Sequence, residues 1–133
     1  MSLYYVDTSA ALKLLARESH SAAFAAFYDA NTASSWVSST LLRIELIRAV
    51  MRGMPAVLPE AHDLLLAFDY LSIDDEIVEA AMNEADPMLR SLDAIHLATA
   101  RVLGADLAGM ATYDDRLASA ARDAHMAVID PRD

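Results

Sequence analysis

The chain has 133 residues, no cysteine and a formal net charge of −10 at pH 7. That length suits one domain with its own core, and the missing cysteines exclude a disulfide framework or a thiolate metal site. No apolar run approaches the roughly 18 residues of a membrane span and no basic region precedes the first apolar segment, so a cytoplasmic protein without membrane association is expected.

The charge balance argues against a general nucleic-acid coat, which would need clustered Lys and Arg. The excess acid is regional, however. Residues 1–55 carry five basic and four acidic side chains, whereas residues 56–133 carry five basic and sixteen acidic ones. Nine of the ten basic residues are arginines, the type suited to bidentate phosphate contacts. No linker, internal repeat or low-complexity segment divides the chain, so residues 1–133 are read as a single domain.

Leu3-Tyr-Tyr-Val6 is a β-favouring run that stops at Asp7-Thr8-Ser9, and residues 10–16 then read as helix. An acid at a strand end is either a helix cap or a ligand at the carboxyl edge of a sheet. Ser19 or Ser21 opens a second helix over residues 20–30, and Trp36-Val37 marks a second strand before Ser38-Ser39-Thr40.

The next helix, Leu41 to Gly53, carries Glu45 in apolar company. At about 100° per residue, Leu42, Leu46, Ile47, Val50 and Met51 cluster on one side and Glu45, Arg48 and Arg52 on the other. Glu45 then either pairs with Arg48 or joins other acids. Pro59 and Glu60 open a helix through Phe68, residues 70–73 form a third strand, and Asp74-Asp75-Glu76 begin a helix running to Ala85.

Residues 88–101 hold Asp93 among Ala94, Ile95, Leu97, Ala98 and Ala100. Ser91 is read as the N-cap, which puts Asp93 in the first turn, where an acid complements the helix dipole or serves a site. Leu107 to Ala111 makes a fourth strand, Asp114 to Ala124 the last helix, and residues 127–129 the closing strand. Thr112 and Asp115 fit a capping box, with Thr112 as N-cap. The alternation of strands and helices predicts an α/β fold, a parallel β-sheet flanked by helices on both faces.

Asp7, Glu45, Asp93 and Asp114 come from elements that such a sheet can bring together. At about 4 Å and an effective dielectric near 20, two carboxylates repel by roughly 4 kcal/mol, so a cluster of four calls for protons or cations. Oxygen-only ligands favour Mg²⁺ or Mn²⁺ over zinc, and such ions suit phosphate chemistry. His96, three residues after Asp93, is read as a hydrogen-bonded packing residue, while Arg90, Arg48 and Arg52 are candidate phosphate contacts.

Four stretches, Tyr4-Tyr-Val-Asp7-Thr-Ser-Ala10, Ser38-Ser-Thr-Leu-Leu-Arg-Ile-Glu45-Leu, Leu89-Arg-Ser-Leu-Asp93-Ala-Ile-His-Leu-Ala-Thr-Ala100 and Ala111-Thr-Tyr-Asp114-Asp-Arg-Leu117, lie in an order and spacing that resembles the PIN domain. The resemblance is to the VapC-type toxins of bacterial toxin–antitoxin pairs and spans nearly the whole chain. It implies a PIN-like, Rossmann-like α/β/α sandwich, with Asp7, Glu45, Asp93 and Asp114 as metal-binding acids supported by Ser9 and Thr112. It further implies a Mg²⁺- or Mn²⁺-dependent endoribonuclease acting on RNA, a cognate VapB antitoxin and a homodimer. An apolar content of 56% adds the expectation of a groove, lined partly by helices 20–30 and 59–69, for an antitoxin segment. A haloacid-dehalogenase-like phosphatase would need an acid where Ser9 stands, and a response-regulator receiver a late lysine, whereas the only lysine is Lys13. A catalytically silent PIN-like binding module is the remaining alternative.

Overall fold

The computed structural model describes residues 2–133. In chain order the elements are β1 (Leu3–Val6), α1 (Thr8–Lys13), α2 (Ser21–Ala30), β2 (Ser35–Ser39), α3 (Leu41–Gly53), α4 (Leu58–Leu65), β3 (Asp69–Leu71), α5 (Asp75–Met82), α6 (Ser91–Val102), β4 (Leu107–Ala111), α7 (Asp115–Asp123) and β5 (Val128–Ile129). Short 3-10 turns at Pro55–Val57 and Gly104–Asp106 complete them.

The strands form one parallel sheet in the order β3-β2-β1-β4-β5, with β1 at its centre. Successive strand residues face opposite sides, and the two cores follow that alternation. Tyr4 and Val6 join Ala10, Phe24, Trp36, Leu42, Leu46 and Leu65 beneath α1 to α4. Tyr5 and Met110 join Leu97, Ala100, Leu117 and Ala121 beneath α6 and α7, and α5 packs on α6. The α/β/α sandwich predicted from alternation is the observed fold. Gly109 has a packing reason: a Cβ there would lie 2.7 Å from Ile129 Cγ1 on the neighbouring strand.

Three helices that follow strands begin on an aspartate side chain. Asp7 accepts from the Ala10 amide, Asp74 from Ile77 and Asp114 from Leu117, each at 2.9 Å. Each satisfies an orphan N–H of the first turn and adds negative charge at the positive helix end.

Two expected caps are corrected. Arg90, not Ser91, occupies the N-cap of α6 and makes no side-chain cap bond; Ser91 is the first helical residue, and Asp93 still lies in the first turn. Neither Ser19 nor Ser21 caps α2. His20 holds the cap position in the left-handed region at φ 69°, and the distant Asp133 carboxylate accepts from the His20 and Ala23 amides at 3.2 and 3.1 Å. Helix ends also move: α5 stops at Met82 rather than Ala85, and α4 at Leu65.

Candidate active site

The strand order reverses between β1 and β4, since β2 and β3 lie on one side of β1 and β4 and β5 on the other. In open parallel sheets the crevice outside the carboxyl ends at such a reversal is the usual ligand site. Val6 pairs with Ala111, so the next residues, Asp7 and Thr112, emerge side by side at that edge.

Asp7 is 4% exposed, yet its carboxylate is held closely. Ser9 Oγ donates to Oδ1 and Oδ2 at 2.7 and 2.9 Å, Thr112 Oγ1 donates to Oδ2 at 2.6 Å, and the Ala10 amide donates to Oδ1. Those hydroxyls in turn accept from the segment that follows β4, Ser9 Oγ from the Tyr113 amide at 2.8 Å and Thr112 Oγ1 from the Asp114 amide at 3.1 Å. Burial pushes the Asp7 carboxyl above its ordinary value, opposed by the bonds from Thr112, Ala10 and Ser9.

Glu45 lies on the polar side of α3, as its angular position predicts, but its partner is not Arg48. Its Oε1 stands 2.6 Å from His96 Nε2 and 2.7 Å from Thr8 Oγ1. Helix α3 turns Glu45 inward toward α6, while Arg48 stays exposed. Burial acts to raise the Glu45 carboxyl, but the hydrogen bonds from His96 and the Thr8 hydroxyl hold it below its ordinary value.

Asp93 is half-buried, although its neighbours in sequence are apolar. Its carboxylate has no hydrogen-bond partner among the described residues. Burial first, and then the fields of Asp114, Asp7 and Glu45, push its carboxyl up. The four acids therefore share one electrostatic neighbourhood, and among the described residues no Lys or Arg forms an ion pair with any of them.

Asp114 is the N-cap of α7, bonded to Leu117, and Asp115 is the exposed first helical residue. The predicted capping box is thus displaced: Thr112 serves Asp7 and the Asp114 amide, and the cap falls to Asp114. Asp74-Asp75-Glu76, read as first-turn acids, play that part in α5, with Asp74 as the cap.

Among the described residues, no three Asp, Glu or His side chains stand close enough to hold one ion. The chemistry of the donor set nevertheless fits a hard divalent cation: four carboxylates, no thiolate, and an uncompensated negative field at Asp93.

His96 is 2% exposed and hydrogen-bonded at both ring nitrogens, in keeping with its reading as a packed residue. Sequence reasoning missed that it binds an acid of the site, and it missed Thr8 and Tyr5 altogether. The available signals were that Thr8 follows Asp7 directly and that Tyr5 faces the opposite side of β1 from Tyr4 and Val6. Arg90, Arg48 and Arg52 are all exposed.

The PIN domain family matches residues 4–123. Over 131 residues the chain is 41% identical to Ribonuclease VapC35 of Mycobacterium tuberculosis, covering 97% of both chains. The chain belongs to the PIN-domain family, among the VapC-type ribonucleases. It is also 40% identical to Ribonuclease VapC46 of the same organism, over 98% of this chain and 99% of that one. The crystal structure of PAE2754 from Pyrobaculum aerophilum superimposes on this PIN domain with a TM-score of 0.60 at 21% identity, covering 96% of this chain and 83% of the other, which supports the fold alone.

Proposed function

We propose that this PIN domain is a cytoplasmic Mg²⁺- or Mn²⁺-dependent endoribonuclease, the toxin of a VapBC-type toxin–antitoxin pair. The observation that carries the reading is the half-buried Asp93 carboxylate, raised by burial and by Asp114, Asp7 and Glu45, in a family whose relatives are ribonucleases. A site that gathers negative charge without Lys or Arg is suited to a bound cation and, through it, to a phosphodiester.

Asp7, Glu45, Asp93 and Asp114 would hold the metal. When bound, Mg²⁺ or Mn²⁺ lowers the pKa of a coordinated water and offsets charge on the scissile phosphate. The chain's own residues prepare that site. Ser9 and Thr112 fix both Asp7 oxygens, Thr8 and His96 fix one Glu45 oxygen, and the Leu117 amide fixes Asp114. Arg90, exposed at the entry to α6, would be a phosphate contact for the RNA backbone.

The partner proposed is a VapB-type antitoxin, alongside a homodimer. A cleft of about 460 Å³ between α3 and α4 has an apolar floor of Leu41, Ile47 and Leu65 and exposed Ile44 and Ile73 at its lip, with Arg43, Arg48 and His62 around it. It suits an amphipathic segment with acidic flanks. Helix α4 lines it, as expected for residues 59–69, but α2 does not. Among the described residues no helix is long and apolar enough to cross a membrane.

The test is cleavage of RNA by the purified chain with Mn²⁺ and with chelator. Metal-dependent internal cuts, lost in Asp93→Asn, support the reading; RNA left intact by a folded protein that binds Mn²⁺ favours the silent module.

A further inference from the structure

We infer that His96 is a positioning residue for Glu45, its ring held in the Nε2–H form by the buried Tyr5 hydroxyl, so that one Glu45 oxygen is anchored and the other is presented to the acid cluster. The inference rests on the ribonuclease reading for its functional meaning and on hydrogen-bond directions for its chemistry.

Tyr5 is fully buried at the centre of the sheet. Its hydroxyl oxygen lies 3.2 Å from the Ser39 amide and 2.6 Å from His96 Nδ1. An amide N–H can only donate, so the Tyr5 oxygen accepts there. The hydroxyl hydrogen is then directed to Nδ1. With Nδ1 accepting, the ring hydrogen sits on Nε2 and points at Glu45 Oε1, 2.6 Å away.

Thr8 Oγ1 donates to the same oxygen at 2.7 Å. Both anchors therefore fall on Oε1, and Oε2 has no hydrogen-bond partner among the described residues. A carboxylate held at one oxygen keeps the other oriented without using up its lone pairs. Three elements contribute: β1 supplies Tyr5, α6 supplies His96, and Thr8 opens α1. Outer partners of this kind typically change metal affinity or activity by about 10–100-fold when removed.

The test uses the full chain with ¹⁵N-labelled histidine, in the absence of metal. Long-range proton–nitrogen correlation should show one ring, identified by its absence in His96→Gln, as the Nε2–H tautomer, and Tyr5→Phe should relax that preference. In calorimetric Mn²⁺ titrations His96→Leu should lose about 10–100-fold in affinity. His96→Gln, whose side-chain amide can still donate to Glu45, should recover most of the loss. An Nδ1–H or doubly protonated ring in the wild type overturns the inference, as does unchanged Mn²⁺ affinity in folded His96→Leu and Tyr5→Phe. A wild type with the Nε2–H ring that neither binds Mn²⁺ nor cuts RNA overturns the ribonuclease reading instead and leaves the His96–Glu45 pairing standing.

Discussion

The Thr112 hydroxyl donates to Asp7 Oδ2 at 2.6 Å while accepting the Asp114 amide at 3.1 Å, so one side chain ties the acid that ends β1 to the acid that caps α7. Removing that hydroxyl leaves a buried carboxylate short of a donor. We expect Thr112→Val to cost about 1–3 kcal/mol in denaturant unfolding, the range for leaving a buried polar group unpaired, and to reduce cleavage. Thr112→Ser should restore both. Equal stability of Thr112→Val and wild type would mean that the bond contributes nothing to the fold.

Asp114 and Asp115 should separate cleanly. Asp114 bonds the Leu117 amide and lies in the acid neighbourhood, whereas Asp115 is exposed. Asp114→Ala should cost about 1 kcal/mol for the lost cap and reduce RNA cleavage by at least about a hundredfold, the scale for losing a preorganised electrostatic group. Asp115→Ala should leave stability within about 0.5 kcal/mol and most activity intact. Thermal melts and cleavage assays on both variants decide it, and the reverse pattern would move the fourth acid of the site to Asp115.

The metal-free protein should show a pH signature at Asp93. Burial and its acidic neighbours raise its carboxyl above the ordinary 3.8, so between that value and the raised one the native state binds more protons than the unfolded chain. Stability from this group then falls as pH rises through the window. Asp93→Asn carries no such loss. Its stability relative to wild type should therefore grow from pH 3.8 upward and level off above the raised value, when both are unfolded by denaturant in the presence of chelator. A stability difference that does not change with pH would show that Asp93 is not strained in the folded chain.

Local signals were legible in the sequence where punctuation was strong. Helix α3 was read residue for residue because Gly53-Met-Pro55 stops it, and β4 because Gly104 and Thr112-Tyr-Asp bracket an apolar run. The sandwich followed from alternation alone. What escaped was pairing across distance. The Tyr5–His96 bond spans 91 residues and the α2 cap comes from Asp133, and no local period encodes either. The choice between Thr112 and Asp114 as cap was likewise settled by tertiary demand, since Asp7 draws the Thr112 hydroxyl to itself. Glu45 is a parallel case: helical geometry gives its direction and leaves a pairing with Arg48 open, but it does not encode the buried imidazole of His96 that Glu45 meets.

Metal should report on the shared site through stability. At a hundredfold excess over Kd, an ion that binds only the native state stabilises it by about 2.7 kcal/mol. Mn²⁺ should therefore raise the Tm of the wild type progressively, and Asp93→Asn should abolish most of the rise while melting higher than wild type in chelator. A Tm that is flat across the titration would contradict a common metal site.

The most direct measurement is to incubate purified wild type, Asp93→Asn and Asp115→Ala with RNA under matched Mn²⁺ and chelator conditions and to map the new 5′ ends. Internal cuts made by wild type and Asp115→Ala only with Mn²⁺, and reduced at least about a hundredfold in Asp93→Asn, are the expected result. Equal cleavage by Asp93→Asn, or cleavage undiminished by chelator, would contradict a metal-dependent ribonuclease built on Asp7, Glu45, Asp93 and Asp114.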